Sequence, residues 1–577
     1  MLKALFRQLK QAVAVSKSAV ADALPPQPRV DAAAAPLARI EALLDAAAPT
    51  VEAVLQAFDQ ARQLGRDDLA LRLLERAAVL SPSNFAIHVN LSHLQAAAGQ
   101  LDAALHSAVS AVALAPQRAE TNYNLGLTYF ERGEFAGAER LLRAAIALAP
   151  QFEPAHSSLI CLLDRMSGIE PEAMLAQRRV WAASCIGAVP VPSHPHRRDP
   201  NRKLKVGYVS ADFRGHSSAY FLLPLFRHHD PEQIEWHAYY NWPAGDATTG
   251  ALKQLAHGWH NIHGLSDEAA AAQIAADRID ILIDLSGHSV GHRMGVFARR
   301  PAPLQATYMG YLGSSGLPAM DFRITDAWLD PAHRPALAQT ERLVRVPRCC
   351  VSFAPDASAP ALSPLPALTR NAAKGATNGA TKGTITFGSL NARSKLNDAV
   401  LDLWARLLRE IPDSKLLIAA GSGGDDAVAS ALRQRFVRAG IAPERIDIRG
   451  RQSLAGFFAL FAEIDVALDP FPYNGGTTSF HSLWMGVPVI TLAGDWPLAR
   501  CGLMVMENAG LPEFVAADAD AYIAIARRCT ADLPQLARLR AGMRRRFNAA
   551  PFADGPGLAR ALEAAYRSLW QEWCNQP

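Results

Sequence analysis

A hydroxyl-rich turn at residues 469–479 is the part of this sequence best suited to chemistry. It reads Asp-Pro-Phe-Pro-Tyr-Asn-Gly-Gly-Thr-Thr-Ser, after an apolar run, 464–468, that predicts a buried strand, and before a short predicted helix, 479–486. Amides at a helix N-terminus lack intrahelical partners and carry partial positive charge. Thr477 and Thr478 therefore indicate a site for a phosphate or diphosphate. An ordinary threonine-capped turn would have the same sequence.

Further polar side chains follow three other predicted strands. Asp212 and His216 lie on a glycine-containing loop after the first, and His288 follows the second. Asn391 and Lys395 follow the third. Since ligands bind outside the carboxyl ends of parallel strands, these side chains would meet in one cleft, where a lysine holds a diphosphate and a histidine activates a hydroxyl. Taken singly, a loop histidine is more often a surface residue.

The elements that would position these residues form two α/β series. The predicted strands are 204–209 and 279–285 in the first series, and 384–388, 415–419, 446–448, 466–468 and 487–491 in the second. Helical patterns lie near 220–227 and 267–276. We therefore expect two doubly wound lobes, 203–356 and 384–577, separated by a linker or insert, 357–383, that is rich in Ala, Pro, Gly and Thr.

A repeat precedes the two lobes. Four kinds of position recur every 34 residues: Gly65, Gly99 and Gly133; Ala70, Ala104 and Ala138; Ala77, Ala111 and Ala145; Pro82, Pro116 and Pro150. Small alanines let antiparallel helices approach closely, and this period predicts tetratricopeptide repeats over 51–187, with a capping helix in which Arg178, Arg179 and Trp181 face a new neighbour. Residues 1–50 would form a helical extension. Stacked repeats make a concave surface that binds polypeptide.

Composition excludes several classes of protein. The 577 residues, 50% of them hydrophobic and 19% charged, predict several globular domains. A net charge of +4 does not indicate a surface that binds nucleic acid. Seven cysteines without a CxxC pair indicate a reducing compartment, and we predict a cytoplasmic protein. Lysines interrupt the apolar N-terminus, which argues against a secretory or spanning segment and leaves a peripheral membrane helix as the alternative.

Several motifs resemble the protein O-GlcNAc transferase and SPINDLY family. With the repeats and the 469–479 turn, the resemblance extends from about residue 51 to 574. The motifs are Gly-Tyr-Val-Ser-Ala-Asp-Phe-Arg-Gly-His (207–216), Asp-Leu-Ser-Gly-His (284–288), Arg-Pro-Ala-Pro-Leu-Gln (300–305), Gly-Tyr-Leu-Gly-Ser-Ser-Gly (310–316) and Asp-Phe-Arg-Ile-Thr-Asp (321–326).

The resemblance implies a two-lobed GT-B glycosyltransferase that moves N-acetylglucosamine from UDP-GlcNAc to Ser or Thr hydroxyls of proteins, with inversion and without a metal or a separate cofactor. By position, His216 corresponds to the family's active-site histidine and Lys395 to its diphosphate-binding lysine, with Asp212 as the rival base. The expected donor-binding residues are Lys395, Gly476, Thr477, Thr478, His481, Asn391, Gly310 and His288. Protein or peptide acceptors would bind along the repeats, and a homodimer is left open.

Departures from the family pattern leave the donor open. Gly476 and His481 stand where UDP-GlcNAc transferases of the family typically carry His and Asp, and Leu312 replaces a usual proline. Stretches such as 284–288 and 564–570 resemble the SPINDLY branch, whose plant members use GDP-fucose. Protein O-fucosyl transfer is therefore one alternative, and an inactive repeat scaffold is another. Hydrolysis is disfavoured because no carboxylate pair of glycosidase type stands out.

Overall fold

The computed structural model describes residues 30–190, 192–333, 339–373, 384–420 and 427–576. Contacts divide the described chain into two compact units. The first comprises residues up to 162 together with 427–432 and 449–451, and the second comprises the remainder. No helix in the described ranges is both long and apolar enough to cross a membrane.

The first unit is built from antiparallel helix pairs. Its helices are α1 (Val30–Asp45), α2 (Val51–Gln63), α3 (Asp67–Leu80), α4 (Phe85–Ala97), α5 (Leu101–Leu114), α6 (Ala119–Arg132), α7 (Phe135–Leu148) and α8 (Glu153–Leu163), which ends just inside the second unit. Gly65, Gly99 and Gly133 lie between the helices of each pair with φ of 70°, 79° and 73°, a conformation that favours glycine.

Small side chains allow these helices to pack closely. The six alanines that keep the repeat register are fully buried: Ala70, Ala77, Ala104, Ala111, Ala138 and Ala145. A larger side chain at any of them would separate the helices of a pair. The predicted helical repeat is therefore confirmed. Residues 1–29 of the predicted extension lie outside the described residues, and α1 follows them.

The second unit contains two parallel sheets. The first has the order β3-β2-β1-β4-β5-β6-β7, and the second has the order β10-β9-β8-β11-β12-β13. The strands of the first are β1 (Leu204–Ser210), β2 (Ile234–Tyr240), β3 (Gly258–Asn261), β4 (Ile281–Asp284), β5 (Leu304–Thr307), β6 (Phe322–Thr325) and β7 (Arg342–Arg345). Those of the second are β8 (Thr386–Ser389), β9 (Lys415–Ala419), β10 (Ile446–Arg449), β11 (Val466–Leu468), β12 (Val489–Leu492) and β13 (Val515–Ala516).

Fourteen α-helices follow α8 in the described ranges, and most of them connect these strands in the manner of doubly wound folds. They are α9 (Pro171–Trp181), α10 (Ala219–Phe226), α11 (Ala247–Leu255), α12 (Asp267–Ala276), α13 (Met294–Ala298), α14 (Pro366–Ala373), α15 (Asp398–Glu410), α16 (Ala427–Arg438), α17 (Leu454–Leu460), α18 (Thr477–Trp484), α19 (Cys501–Asn508), α20 (Ala519–Ala531), α21 (Leu533–Ala549) and α22 (Gly555–Cys574). The predicted fold class, helical repeats followed by two Rossmann-like lobes, is confirmed.

Two segments pack against parts of the second unit that are distant in the sequence. The C-terminal helix α22 lies against the first sheet, where the Tyr566 hydroxyl is 3.1 Å from that of Tyr208. Helix α9, assigned from the sequence to the repeats, belongs to the second unit, and Trp181 at its end packs edge-on against His288 with ring centres 4.6 Å apart. The segment 357–373 includes α14, whereas 374–383 lies outside the described residues.

Candidate active site

A buried aspartate shapes the turn that follows β11. Asp469 is fully buried, and its two carboxylate oxygens accept hydrogen bonds from the Gly475 amide at 2.6 Å and the Thr491 hydroxyl at 2.8 Å. Burial raises the pKa of Asp469 to about 7, against the opposing effects of these donors and of Lys395. A Cβ at Gly475 would lie 2.7 Å from Asp469 Oδ1, so a larger residue there would displace the buried carboxylate.

The N-terminus of α18 opens directly from this turn. Thr477 and Thr478 are its first residues, and Gly476 precedes them without a side-chain cap. The first hydrogen bond of the helix runs from the Ser479 amide to the Gly476 carbonyl at 2.9 Å. The amides at Thr477 and Thr478 thus come before the hydrogen-bonded ladder, where the helix dipole favours an anion.

Lys395 lies beside the same turn. It ends a short 3-10 turn, Arg393–Lys395, after β8, and its Nζ donates to the Asn474 carbonyl at 2.8 Å. The same Nζ lies 4.6 Å from the centre of the Tyr473 ring, within the range of a cation–π contact. The structure therefore brings Lys395 and the turn together, as expected from the order of the strands.

Asn391 supplies a buried polar atom next to this turn. Its Oδ1 is buried and has no hydrogen-bond partner among the described residues, and a Cβ on Gly475 would lie 3.1 Å from it. Its Nδ2 donates to Ser389 Oγ at 3.3 Å. A buried acceptor without a partner is costly unless a ligand or water satisfies it.

An Asp–His pair lies on the loop after β1. His216 Nδ1 is 3.5 Å from Asp212 Oδ2 and 3.0 Å from Ser218 Oγ. The side chains of His216 and Asp212 are 18% and 11% exposed, so both are within reach of a substrate. The amide of Gly215 donates to Asp246 Oδ2 at 2.6 Å, which fixes the loop immediately before His216. A carboxylate beside an imidazole orients the ring.

His288 and Gly310 shape the loops at the carboxyl ends of β4 and β5. His288 is buried, and its Nε2 lies 2.8 Å from the Ser315 carbonyl. A Cβ at Gly310 would lie 1.7 Å from the Leu285 carbonyl oxygen. The part of both residues in donor binding stays a prediction.

Replacing Gly310 with alanine is expected to destabilise the protein by about 3 kcal/mol or more, because the backbone of one loop must move. The measurement is soluble yield and Tm, with a Tm lower by roughly 6 °C or more. The matched control is Gly542→Ala, in the middle of α21, where a Cβ meets nothing within 4 Å. That variant should gain about 0.5–1 kcal/mol. Equal stability of the two variants would contradict the close approach at Gly310.

His481 occupies an aromatic cluster formed by residues of both lobes. Its ring centre lies 4.9–5.7 Å from those of Tyr220, Phe353, Phe457 and Phe458. Burial lowers the pKa of His481 to about 4, so the imidazole is neutral at pH 7. Its Nδ1 has no hydrogen-bond partner among the described residues. Donor binding by His481 also stays a prediction.

Sequence reasoning missed several residues that support the site. Asp469 and Tyr473 belong to the 469–479 turn, but the sequence alone assigns them no role. The position of Asp469 directly after a buried strand is the signal that could have identified it. Thr491 lies on the neighbouring strand, β12, and Arg165 lies far away in the sequence. No local pattern marks Arg165, although its guanidinium carbon is 4.2 Å from the centre of the Tyr473 ring.

Comparison with known proteins assigns this architecture. A family model described as "Glycosyl transferase family 41" matches residues 149–353 and 371–555, and one described as "Tetratricopeptide repeat" matches 96–160. Among solved structures, a mutant of the Thermobaculum terrenum O-GlcNAc transferase is 33% identical, with a TM-score of 0.83 and coverage of 95% of this chain and 99% of that one.

Plant proteins are also similar to this chain. One from Petunia hybrida, described as a probable UDP-N-acetylglucosamine–peptide N-acetylglucosaminyltransferase SPINDLY, is 35% identical over 66% of this chain. An Arabidopsis thaliana protein with the corresponding description and the name SEC is 27% identical over 70% of it. The matches span 40% and 42% of those relatives' own length.

Proposed function

The chain belongs to glycosyltransferase family 41, and we propose that it transfers N-acetylglucosamine from UDP-GlcNAc to serine or threonine hydroxyls of proteins. It does so with inversion of the anomeric centre and without a metal ion. The observation that carries the proposal is the position of Lys395 Nζ, 2.8 Å from the Asn474 carbonyl in the turn that opens α18.

Positive charge at this turn suits a departing diphosphate. As the bond between the sugar and the diphosphate breaks, negative charge develops on the leaving oxygen. The Lys395 ammonium and the amides at Thr477 and Thr478 are donors fixed in place before the reaction. Donors that need not reorganise stabilise the transition state more than the ground state. They supply the charge that a metal provides in other transferases.

The loop after β1 supplies the groups for the acceptor. The acceptor oxygen forms the new bond to the anomeric carbon, the bond to the diphosphate breaks, and the hydroxyl proton passes to a base. His216 is the proposed base, since its imidazole is partly exposed and held beside Asp212. Asp212 is the alternative base, with His216 then orienting the acceptor.

The first unit is the proposed site for polypeptide acceptors. Its helix pairs form a repeat array, and such arrays present extended concave surfaces. The seven cysteines are free thiols, which supports the proposed cytoplasmic location. The predicted domain limits and homodimer stay predictions.

GDP-fucose is the second candidate donor. Gly476 and His481 support it, because they replace the His and Asp expected of UDP-GlcNAc transferases, and His481 packs among aromatic rings. A neutral, buried imidazole cannot supply the negative charge that an aspartate would offer a ribose hydroxyl. Because both donors contain the same ribose, their bases and sugars must decide between them.

A nucleotide titration separates these possibilities. We expect the purified chain to bind UDP and UDP-GlcNAc at least about tenfold more tightly than GDP-fucose, a difference of about 1.4 kcal/mol. With a mixture of Ser- and Thr-containing peptides, mass spectrometry should show addition of one N-acetylhexosamine. If the chain preferred GDP-fucose and transferred fucose to the peptides, the donor would be GDP-fucose instead of UDP-GlcNAc. Absence of binding to any of the nucleotides would favour the inactive scaffold.

A further inference from the structure

Two adjacent residues, Asp164 and Arg165, contact loops that belong to different sheets. They lie between α8 and α9, and their exposed fractions are 0% and 9%. Burial of an acidic and a basic side chain is costly unless both have suitable partners. The partner of the Arg165 guanidinium lies in the 469–479 turn, and the partners of Asp164 lie on α9 and on the 310–316 loop.

Arg165 faces the donor side. Its guanidinium carbon is 4.2 Å from the centre of the Tyr473 ring, and Lys395 Nζ is 4.6 Å from the same centre. Each cation is attracted to the electron-rich ring, which offsets part of their mutual repulsion. Two positive charges are thereby held next to the turn that precedes Thr477. A diphosphate placed there would be attracted to both.

The backbone of Arg165 is tied to the same region. Asn397 Nδ2 donates to the Arg165 carbonyl at 2.9 Å and to the Phe471 carbonyl at 2.7 Å. Asn397 also caps α15 through its Oδ1, which accepts from the Val400 amide at 3.0 Å. The Asn397 side chain therefore ties the Arg165 backbone to Phe471 in the 469–479 turn and to the start of α15, just after Lys395.

Asp164 faces the first sheet. Arg178 Nη2 donates to Asp164 Oδ1 at 2.6 Å and to the Tyr311 hydroxyl at 2.7 Å, and that hydroxyl donates to Asp164 Oδ2. Burial alone would lower the pKa of Arg178, but Tyr311 and Asp164 raise it, so the guanidinium stays charged. Asp164 is thus anchored to the 310–316 loop.

We propose that Arg165 is a positioning residue of the donor site. Its guanidinium holds the Tyr473 ring in place. The ring thereby positions the Lys395 ammonium and the turn so that they can bind a diphosphate. Asp164 fixes Arg165 relative to the first sheet. This inference rests on the proposed function for the identity of its ligand, but the positioning itself can be measured in the nucleotide-free protein.

The test compares Arg165→Met, Arg165→Lys and a matched control, Arg179→Met, whose side chain is exposed on the same segment. The first measurement is hydrogen–deuterium exchange of peptides covering 470–478 in the full chain without nucleotide. Arg165→Met should speed exchange in these peptides roughly threefold or more, because the Tyr473 ring loses one of its two cation partners. Arg165→Lys should recover most of the protection, and Arg179→Met should match wild type.

The second measurement is the Kd of UDP by calorimetry. Arg165→Met should raise it roughly 3- to 30-fold, with Arg165→Lys within about threefold of wild type. Unchanged exchange in 470–478 for Arg165→Met would overturn the inference. The inference would also be overturned if Arg165→Lys had a lower Tm and lost as much exchange protection as Arg165→Met. That result is expected if Arg165 only supports the fold. If wild type binds no UDP, the proposed function fails, while the exchange result still decides the role of Arg165.

Discussion

Lys395→Ala should lower kcat by about 100- to 1,000-fold, the usual cost of removing one fixed donor from a developing negative charge. The ammonium is held at 2.8 Å from the Asn474 carbonyl and cannot be replaced by water with the same orientation. The Kd of UDP should rise as well, by roughly tenfold, since the product diphosphate carries the same charge. Steady-state kinetics with UDP-GlcNAc and calorimetry with UDP measure the two effects.

Lys415→Ala is the matched control. Lys415 is an exposed lysine of the same lobe, at the amino end of β9, whereas Lys395 follows the carboxyl end of β8. Its removal should leave kcat within about twofold of wild type, as expected for a surface charge. A kcat for Lys395→Ala within threefold of that control would remove Lys395 from the chemistry. The diphosphate would then have to be held by the helix N-terminus alone.

The repeats and the strands were predictable because their patterns are local. A 34-residue period fixes which alanines meet between helices, and each of those six alanines is fully buried. Long apolar runs such as 415–419 matched strands of the same extent. Six strands in the described ranges were not predicted: β2, β3, β5, β6, β7 and β13. The seven residues of β2 mix charged, polar and aromatic side chains, and the others have four residues or fewer, so neither alternation nor a continuous apolar run marks them clearly.

The convergence of Lys395 with the 469–479 turn was also predictable. In a parallel sheet, polar residues after β8 and β11 emerge at the same edge because these strands are neighbours. The sequence did not indicate which way each side chain turns after leaving its strand. His288 packs against Trp181, and His481 packs against Phe353, and both orientations depend on rings contributed by distant segments.

Arg165 illustrates the same limit more strongly. It lies in the segment 51–187, which the sequence assigns to the repeats and their capping helix. Its contact with Tyr473 joins residues about three hundred positions apart. Propensity and periodicity describe neighbours within one element. They do not describe a cation placed over a ring by a segment that is distant in the sequence. Such residues become visible only when distances are known.

His216→Ala should lower kcat by about 100- to 1,000-fold and leave the Kd of UDP within about twofold of wild type. The histidine lies on the loop after β1, whereas the diphosphate would bind at the turn before α18, so its loss should affect the acceptor rather than the donor. The measurements are kcat under saturating peptide and UDP binding by calorimetry. The control is His257→Ala, an exposed histidine just before β3.

Asp212→Asn then separates the two candidate bases. The amide keeps the size of the side chain and removes its charge, which lies 3.5 Å from His216 Nδ1. If His216 takes the proton, Asp212→Asn should cost about tenfold in kcat, because the imidazole loses an orienting charge but remains a base. If Asp212 takes the proton, Asp212→Asn should be at least as damaging as His216→Ala, since no carboxylate then remains in the pair. We expect the first order of effects, because the imidazole is the more exposed of the two side chains, 18% against 11%, and histidine is the side chain that most often serves as a general base.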